Sequence, residues 1–221
     1  MTTLAIVGAG PGLGLAVARR FGREGFSVAL IARNQEKLDD LADKLASDGV
    51  RASGFSADAR DRSALRAALD QAAEELGPIE VLQYSPVPAR EFMKPALETS
   101  PDDLLGPIEM SILGPVTAVQ QVLPGMRELG RGTILFPNGA SAVRPRGAVT
   151  GTSVAFAGES AYAHVLHDAL KPENVHVAQL IIPLGIGGGE PDHEPAALAN
   201  RLFTLHQERG QFRTFVRPLE S

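Results

Sequence analysis

The stretch Leu4-Ala5-Ile6-Val7-Gly8-Ala9-Gly10-Pro11-Gly12-Leu13-Gly14 carries the reading on which the fold turns. Leu4 to Val7 is a short continuous apolar run, the pattern of a buried strand. Beyond the glycines, apolar Leu13, Val17 and Phe21 recur at i, i+4 and i+8, which marks one face of a helix. A glycine-rich turn between a strand and a helix has a specific use. Without Cβ atoms the backbone can approach a ligand closely. The first N–H groups of the helix have no intrahelical partners and favour an anion placed against them. The pyrophosphate of a dinucleotide is the anion that suits this arrangement. The glycines follow Gly-x-x-x-Gly-x-Gly at Gly8, Gly12 and Gly14; the commoner Gly-x-Gly-x-x-Gly would need glycine where Leu13 stands. Gly8, Gly10, Gly12, Leu13 and Gly14 are therefore the candidate cofactor cradle.

Outward from this turn, strand and helix patterns alternate. Strand runs are expected at Ser27–Ile31, Arg51–Phe55, Ile79–Gln83, Thr133–Phe136 and Val175–Ile182, with a short one at Arg213–Val216. Between them, Leu38, Leu41 and Leu45 mark a second helix, and Leu65, Leu69, Ala72 and Leu76 a third, which Gly77-Pro78 ends. Helices are also expected over about Asp102–Leu129, Val154–Leu170 and Pro195–His206, the first bent where Pro107 and Pro115 interrupt it. Strands alternating with helices of this length imply right-handed βαβ crossovers. The expected fold is thus α/β, a doubly wound, Rossmann-type parallel sheet in three α/β/α layers. No linker, repeat or low-complexity segment divides it, so residues 1–221 read as a single dinucleotide-binding domain. The loop Pro183–Pro195, with Gly185, Gly187, Gly188 and Gly189, reads as a flap at the carboxyl edge of the sheet.

The second strand run ends Leu30-Ile31-Ala32-Arg33-Asn34. An NAD site usually has an acidic residue here to accept from the ribose 2′-hydroxyl. The chain has Ala32 and then Arg33, whose guanidinium can pair bidentately with a 2′-phosphate. The expected cofactor is therefore NADP(H).

Composition excludes several alternatives. A formal charge of −5 argues against a nucleic-acid partner, which needs a surplus of Lys and Arg on one face. The absence of cysteine removes disulfides, thiolate chemistry and cysteine-bound zinc. His164 and His167 have a spacing that can hold a metal but no third ligand nearby, so they read as a structural pair and no metal is expected. No Gly-x-Ser-x-Gly elbow supports a serine hydrolase. No window approaches the roughly 18 apolar residues of a membrane span, and no signal peptide opens the chain. A cytoplasmic protein acting on a small molecule, without membrane or nucleic-acid partners, is the expectation.

The glycine spacing, the place of Arg33 and the order of elements together resemble the short-chain dehydrogenase/reductases, over essentially the whole chain. That resemblance implies adenine contact by Asp58 within Ser56-Ala57-Asp58, and cofactor contact at Ser85, where Tyr84-Ser85-Pro86-Val87 stands for the family's Asn-Asn-Ala-Gly. It also implies a catalytic Tyr with a Lys four residues later, supported by a Ser and an Asn. Here the sequence departs. Neither tyrosine has Lys four residues on, and alignment back from Pro172-Glu173-Asn174-Val175 places Thr152 and Phe156 at the Tyr and Lys positions. The Ser position falls near Gly139 or Ala140, with Ser141 close by, and the Asn position falls on Ser111. Thr has no accessible ionisation and Phe no charge, so the family's usual proton transfer is not available from these residues.

Two readings remain open. One is an NADP(H)-dependent oxidoreductase with a noncanonical active site, its proton donor drawn from Ser141, Tyr84 or His193. The other is a nonreductive protein on the same fold, either a binding or regulatory module or an enzyme that reuses the pocket. Tyr84 also reads as a buried tyrosine bonded to backbone, and Asp192-His193-Glu194 as solvated loop residues. The resemblance also implies pairing through the helices at about Asp102–Leu129 and Val154–Leu170, and both stretches carry more apolar residues than one face needs, so a homodimer or homotetramer is expected.

Overall fold

The computed structural model describes residues 1–219. Seven parallel strands form one sheet: β1 (Thr3–Val7), β2 (Ser27–Ala32), β3 (Ala52–Ser56), β4 (Ile79–Tyr84), β5 (Gly132–Gly139), β6 (Val175–Ile182) and β7 (Arg213–Phe215), in the order β3-β2-β1-β4-β5-β6-β7. The helices are α1 (Leu13–Gly22), α2 (Gln35–Ser47), α3 (Arg62–Leu76), α4 (Pro101–Ile108), α5 (Gly114–Glu128), α6 (Thr150–Leu170) and α7 (Pro195–Glu208). The chain runs outward from β1 to β3 and then returns to place β4 on the other side of β1. This reversal opens a crevice above the carboxyl ends of β1 and β4, where doubly wound sheets bind ligands. The expected doubly wound, three-layer fold is the one observed. No helix among the described residues is long and apolar enough to cross a membrane.

Both faces of the sheet are buried, which is why its strands read as continuous apolar runs and not as alternating ones. On one face Leu4, Ile6, Val28 and Leu30 pack with Val17, Phe21, Leu41 and Leu202, from α1, α2 and α7. Phe21 meets Phe203 edge to face at 4.9 Å and so joins α1 to α7. On the other face Ala5, Val7, Leu82 and Phe136 pack with Leu65, Leu69, Val119 and Ala163, from α3, α5 and α6.

The proline-rich helical stretch does not simply bend. Between α4 and α5, residues Glu109–Leu113 form a π-helical turn. Pro115 sits in the first turn of α5 and has no N–H to return to the preceding turn, so the hydrogen-bond register widens there. β5 runs three residues beyond the expected Phe136, and α6 begins four residues before the expected Val154. Both extensions matter for the site.

Candidate functional site

At the switch point, the N–H groups of Gly8 and Ala9 both donate to the Ile31 carbonyl, at 2.9 and 3.1 Å, and turn the chain from β1 toward α1. The glycines have different reasons to be glycine. Gly8 has φ +90°, and a Cβ on it would lie 2.5 Å from the Pro86 nitrogen, so this residue is fixed by the turn. Gly14 faces Ala9, with 3.2 Å available to a Cβ. A Cβ on Gly10 or Gly12 would meet nothing within 4 Å. Open space over two glycines at a helix start is what a cradle for a close-approaching ligand requires.

Asn34 caps α2, Asp61 caps α3, and Ser100 with Asp103 forms a capping box on α4. Helix α1, like α5, α6 and α7, has no side-chain cap and no acidic residue in its first turn. Its N-terminal N–H groups and dipole face the cavity without a competing carboxylate.

Two cavities adjoin at Gly8, Gly10, Pro86 and Val87. The smaller, ≈ 230 Å³, reaches Ala32, Arg33, Asp58 and Arg60. Asp58 is taken up by Arg60, which donates its backbone N–H at 3.0 Å and its guanidinium at 3.1 Å. Burial pushes the Asp58 carboxyl up, but these bonds outweigh it and hold the group below its usual range. Arg60 thus adds a second guanidinium beside Arg33, one that sequence reasoning missed because it lies in a loop two residues after the expected adenine contact.

The larger cavity, ≈ 450 Å³, extends from Gly12 and Leu13 to Ser85, Pro137, Asn138, Phe156 and Ile182. Among its lining residues only Ser85 and Asn138 have polar side chains. The Ser85 oxygen accepts from Gln83 Nε2 at 2.9 Å, which leaves its O–H to donate. Leu184 and Ile186, from the glycine-rich loop, form an apolar wall, so that loop stands at the expected sheet edge.

All the cradle residues, with Arg33, Asp58 and Ser85, come together along this cleft. The three candidate proton donors do not. Tyr84 is buried at the tip of β4, and its hydroxyl donates to the Met110 carbonyl in the π-turn. Burial, then the nearby Glu159 and Asp58 carboxyls, push its phenol well above the usual range. A Cβ on Gly114 would overlap that hydroxyl, so the small residue opening α5 completes its cage. Tyr84 is therefore corrected from candidate acid to interior anchor. His193 is corrected likewise. Its ring is 0% exposed, with Nδ1 2.7 Å from an Asp192 oxygen, and it lines neither cavity. Asp192 is not merely solvated, because Arg217 clasps it at 2.6 Å together with Glu190 at 2.9 Å. Bonds from Arg217 and then His193 hold the Asp192 carboxyl far below its usual range. Ser141 is buried in the 3₁₀ turn Ala140–Ala142 and also lines neither cavity. The extra length of β5 brings Asn138 to this wall in its place.

The His164–His167 pair has structural surroundings. His164 stacks on Phe212 at 4.8 Å, and His167 Nδ1 bonds the Val177 carbonyl at 2.8 Å. Thr152 and Phe156 follow one another along the buried face of α6. Phe156 closes the cavity wall, whereas the buried Thr152 hydroxyl has no hydrogen-bond partner.

Comparison with known proteins agrees with this geometry. A family model described as short chain dehydrogenase matches residues 2–186. The oxidoreductase UcpA of Escherichia coli is 34% identical over 161 residues, 73% of this chain and 57% of that protein. The chain spans between 10% and 60% of the length of the curated relatives it matches. A solved short-chain dehydrogenase from Rhodopseudomonas palustris superimposes with a TM-score of 0.86 at 30% identity, over 99% of each chain. A metagenomic short-chain oxidoreductase in complex with NADP has the same fold, with a TM-score of 0.86 at 22% identity over 99% of this chain and 98% of that one. On the family model and the full-length structural match, the chain belongs to the short-chain dehydrogenase family.

Proposed function

We propose that the chain binds NADP(H) and acts as an oxidoreductase on a small molecule, with an active site that departs from the family's Tyr-Lys arrangement. The observation that carries the cofactor reading is the open space over Gly10 and Gly12 at the uncapped start of α1, continuous with a cavity that reaches Arg33. The α1 N-terminus and the glycines would hold the pyrophosphate, and Arg33 with Arg60 beside it would take the 2′-phosphate. Asp58 would face the adenine, and Ser85 would meet the cofactor further along the cleft. A fold neighbour that carries NADP supports the same choice.

When bound, the nicotinamide supplies hydride chemistry, and the chain positions and polarises. In the inner half of the cleft, Phe156, Ile182, Leu184 and Ile186 would exclude water from one side of the ligand. The Ser85 O–H and the Asn138 amide can donate hydrogen bonds there. Neither titrates near neutral pH, so a reacting oxygen would draw its proton from water. The lack of any ionisable side chain lining this half is also the specific observation that favours the second reading, a nonreductive binding protein on the same fold. A fluorescence titration with NADPH and NADH, followed by a screen of aldehydes and ketones for NADPH oxidation, separates the two. Binding with no turnover across the screen supports the second.

A further inference from the structure

Behind the inner wall of the cleft lies a buried polar network to which the proposed function assigns no part. It crosses three neighbouring strands on one face of the sheet. Asn138 on β5, Gln179 on β6 and Arg213 on β7 are joined in sequence, with Glu159 and Ser160 of α6 above them. Glu159 is 2% exposed and Gln179 0%. The direction of every bond follows from Arg213, which can only donate. Its Nε donates to Gln179 Oε1 at 2.7 Å, and its second guanidinium nitrogen to Ser160 Oγ at 2.8 Å. The Gln179 amide must then present nitrogen to Asn138, and does, donating to Oδ1 at 2.8 Å. Asn138 in turn must present nitrogen to Glu159, donating to Oε2 at 2.8 Å. A fixed cation at the sheet edge therefore decides, two amides away, which way the one amide lining the inner cleft is turned.

One Asn138 N–H is used by Glu159. The other remains for a ligand, and Asn138 lines the cavity. A donor on a wall otherwise built of Pro137, Gly139, Phe156 and Ile182 suits a carbonyl oxygen attached to a flat apolar ring. The carboxamide on the neutral dihydronicotinamide ring of NADPH answers this description, and a substrate carbonyl is the other group that could enter. We propose that Asn138 binds the carboxamide oxygen of the cofactor, and that Glu159 is the positioning residue that holds the Asn138 amide for it. This rests on the NADP(H) reading above. It departs from a cradle made of backbone alone, because it places a side-chain amide, oriented through α6 and β7, at the reacting end.

Glu159 has a property that makes the coupling visible. Burial raises its carboxyl, against the lowering bond from Asn138, to about 8. Of the other groups at the network, Tyr84 on β4 is pushed up by burial and stays neutral in this range, and Arg213 on β7 donates to Gln179 and Ser160. Only Glu159 then changes charge near pH 8.

The test uses the intact ¹⁵N-labelled protein and two ligands, NADPH and 2′-phospho-ADP-ribose, which lacks the nicotinamide. The Asn138 side-chain NH₂ signals are identified by their loss in Asn138→Ala. In the free protein they should shift with a midpoint near 8, and not titrate in Glu159→Gln. NADPH should move them and 2′-phospho-ADP-ribose should not. Asn138→Ala should weaken NADPH by roughly tenfold and leave 2′-phospho-ADP-ribose unchanged, as expected for one lost hydrogen bond. If the alanine variant does not fold, Asn138→Ser keeps one donor for Glu159, removes the second N–H and should give the same contrast. Unchanged NADPH affinity in either variant overturns the carboxamide role, as would an effect on a substrate alone. The same titration in wild type and Glu159→Gln overturns the positioning role. If wild type binds neither ligand, the cofactor reading fails and the carboxamide role with it, while the titration of the free protein still decides whether Glu159 governs Asn138.

Discussion

Replacing Glu159 by Gln should change how the stability of the protein depends on pH. The folded-state carboxyl titrates near 8, against 4.5 for an ordinary Glu. A raised value means that the folded protein holds a proton that the unfolded chain gives up. The contribution is fully present below pH 4.5 and is lost as pH rises through about 8. At about 1.36 kcal/mol per pH unit, the loss between pH 5 and pH 8 is on the order of 4 kcal/mol. Gln keeps an oxygen to accept from Asn138 and cannot ionise. It adds an NH₂ group that needs a partner, but that cost does not depend on pH and drops out of the slope. His176, which burial and then nearby His167 and Arg209 lower to about 4, titrates alike in both proteins and cancels. Denaturant unfolding at pH 5, 6, 7 and 8 should therefore show wild type losing stability relative to Glu159→Gln, with the variant ahead at pH 8. In melting temperature the change in their difference is roughly 8–16 °C, at about 2–4 °C per kcal/mol for a chain of this size. Parallel pH profiles would refute the reasoning and place Glu159 in contact with water.

Three further outcomes follow from individual side chains. Gly12→Val should abolish NADPH binding while the protein stays folded, because a Cβ there meets no protein atom and projects into the cleft; unchanged affinity in the folded variant would remove the pyrophosphate from this turn. Thr152→Val should raise stability by about 1–3 kcal/mol, since the hydroxyl is buried without a partner, and should change any NADPH-dependent rate by less than about tenfold. A loss of activity would make Thr152 a direct participant. Val154 and Val165 on α6 are 46% and 67% exposed, with Leu105 of α4 at 58%, so sedimentation should give a multiple of 23.3 kDa, and a monomer at working concentration would reject the expected homodimer or homotetramer.

The half of the cleft proposed for the cofactor was legible because strand order places it. The glycine turn follows β1 and Arg33 follows β2, and these are adjacent parallel strands, so the strand pattern brings both to one edge. The inner half was not legible, because partners that no strand or helix pattern announces decide there. Tyr84 stands at the strand end that points toward the cleft, but a carbonyl presented by the π-turn 26 residues later captures its hydroxyl. His193 lies in a glycine-rich loop whose composition suggests exposure, but the Arg217 clasp on its neighbour Asp192 folds it inward. One signal was present and unused. Thr152, Phe156, Glu159 and Ala163 fall at i, i+4, i+7 and i+11, the buried stripe of α6, and a carboxylate on such a stripe needs a partner. That partner, Asn138, lies in a strand end that β-branched composition alone did not extend far enough to include.

The central claim is that the turn and Arg33 together hold NADP(H), and the most direct measurement is a fluorescence titration of wild type and Arg33→Ala with NADPH and NADH. Wild type should bind NADPH more tightly than NADH. Arg33→Ala should weaken NADPH by roughly ten- to hundredfold, the value of about 1.5–3 kcal/mol for a charged hydrogen bond, with NADH little changed. Equal affinity of wild type for both cofactors would contradict the role of Arg33, and no affinity for either would contradict the account of the cleft itself.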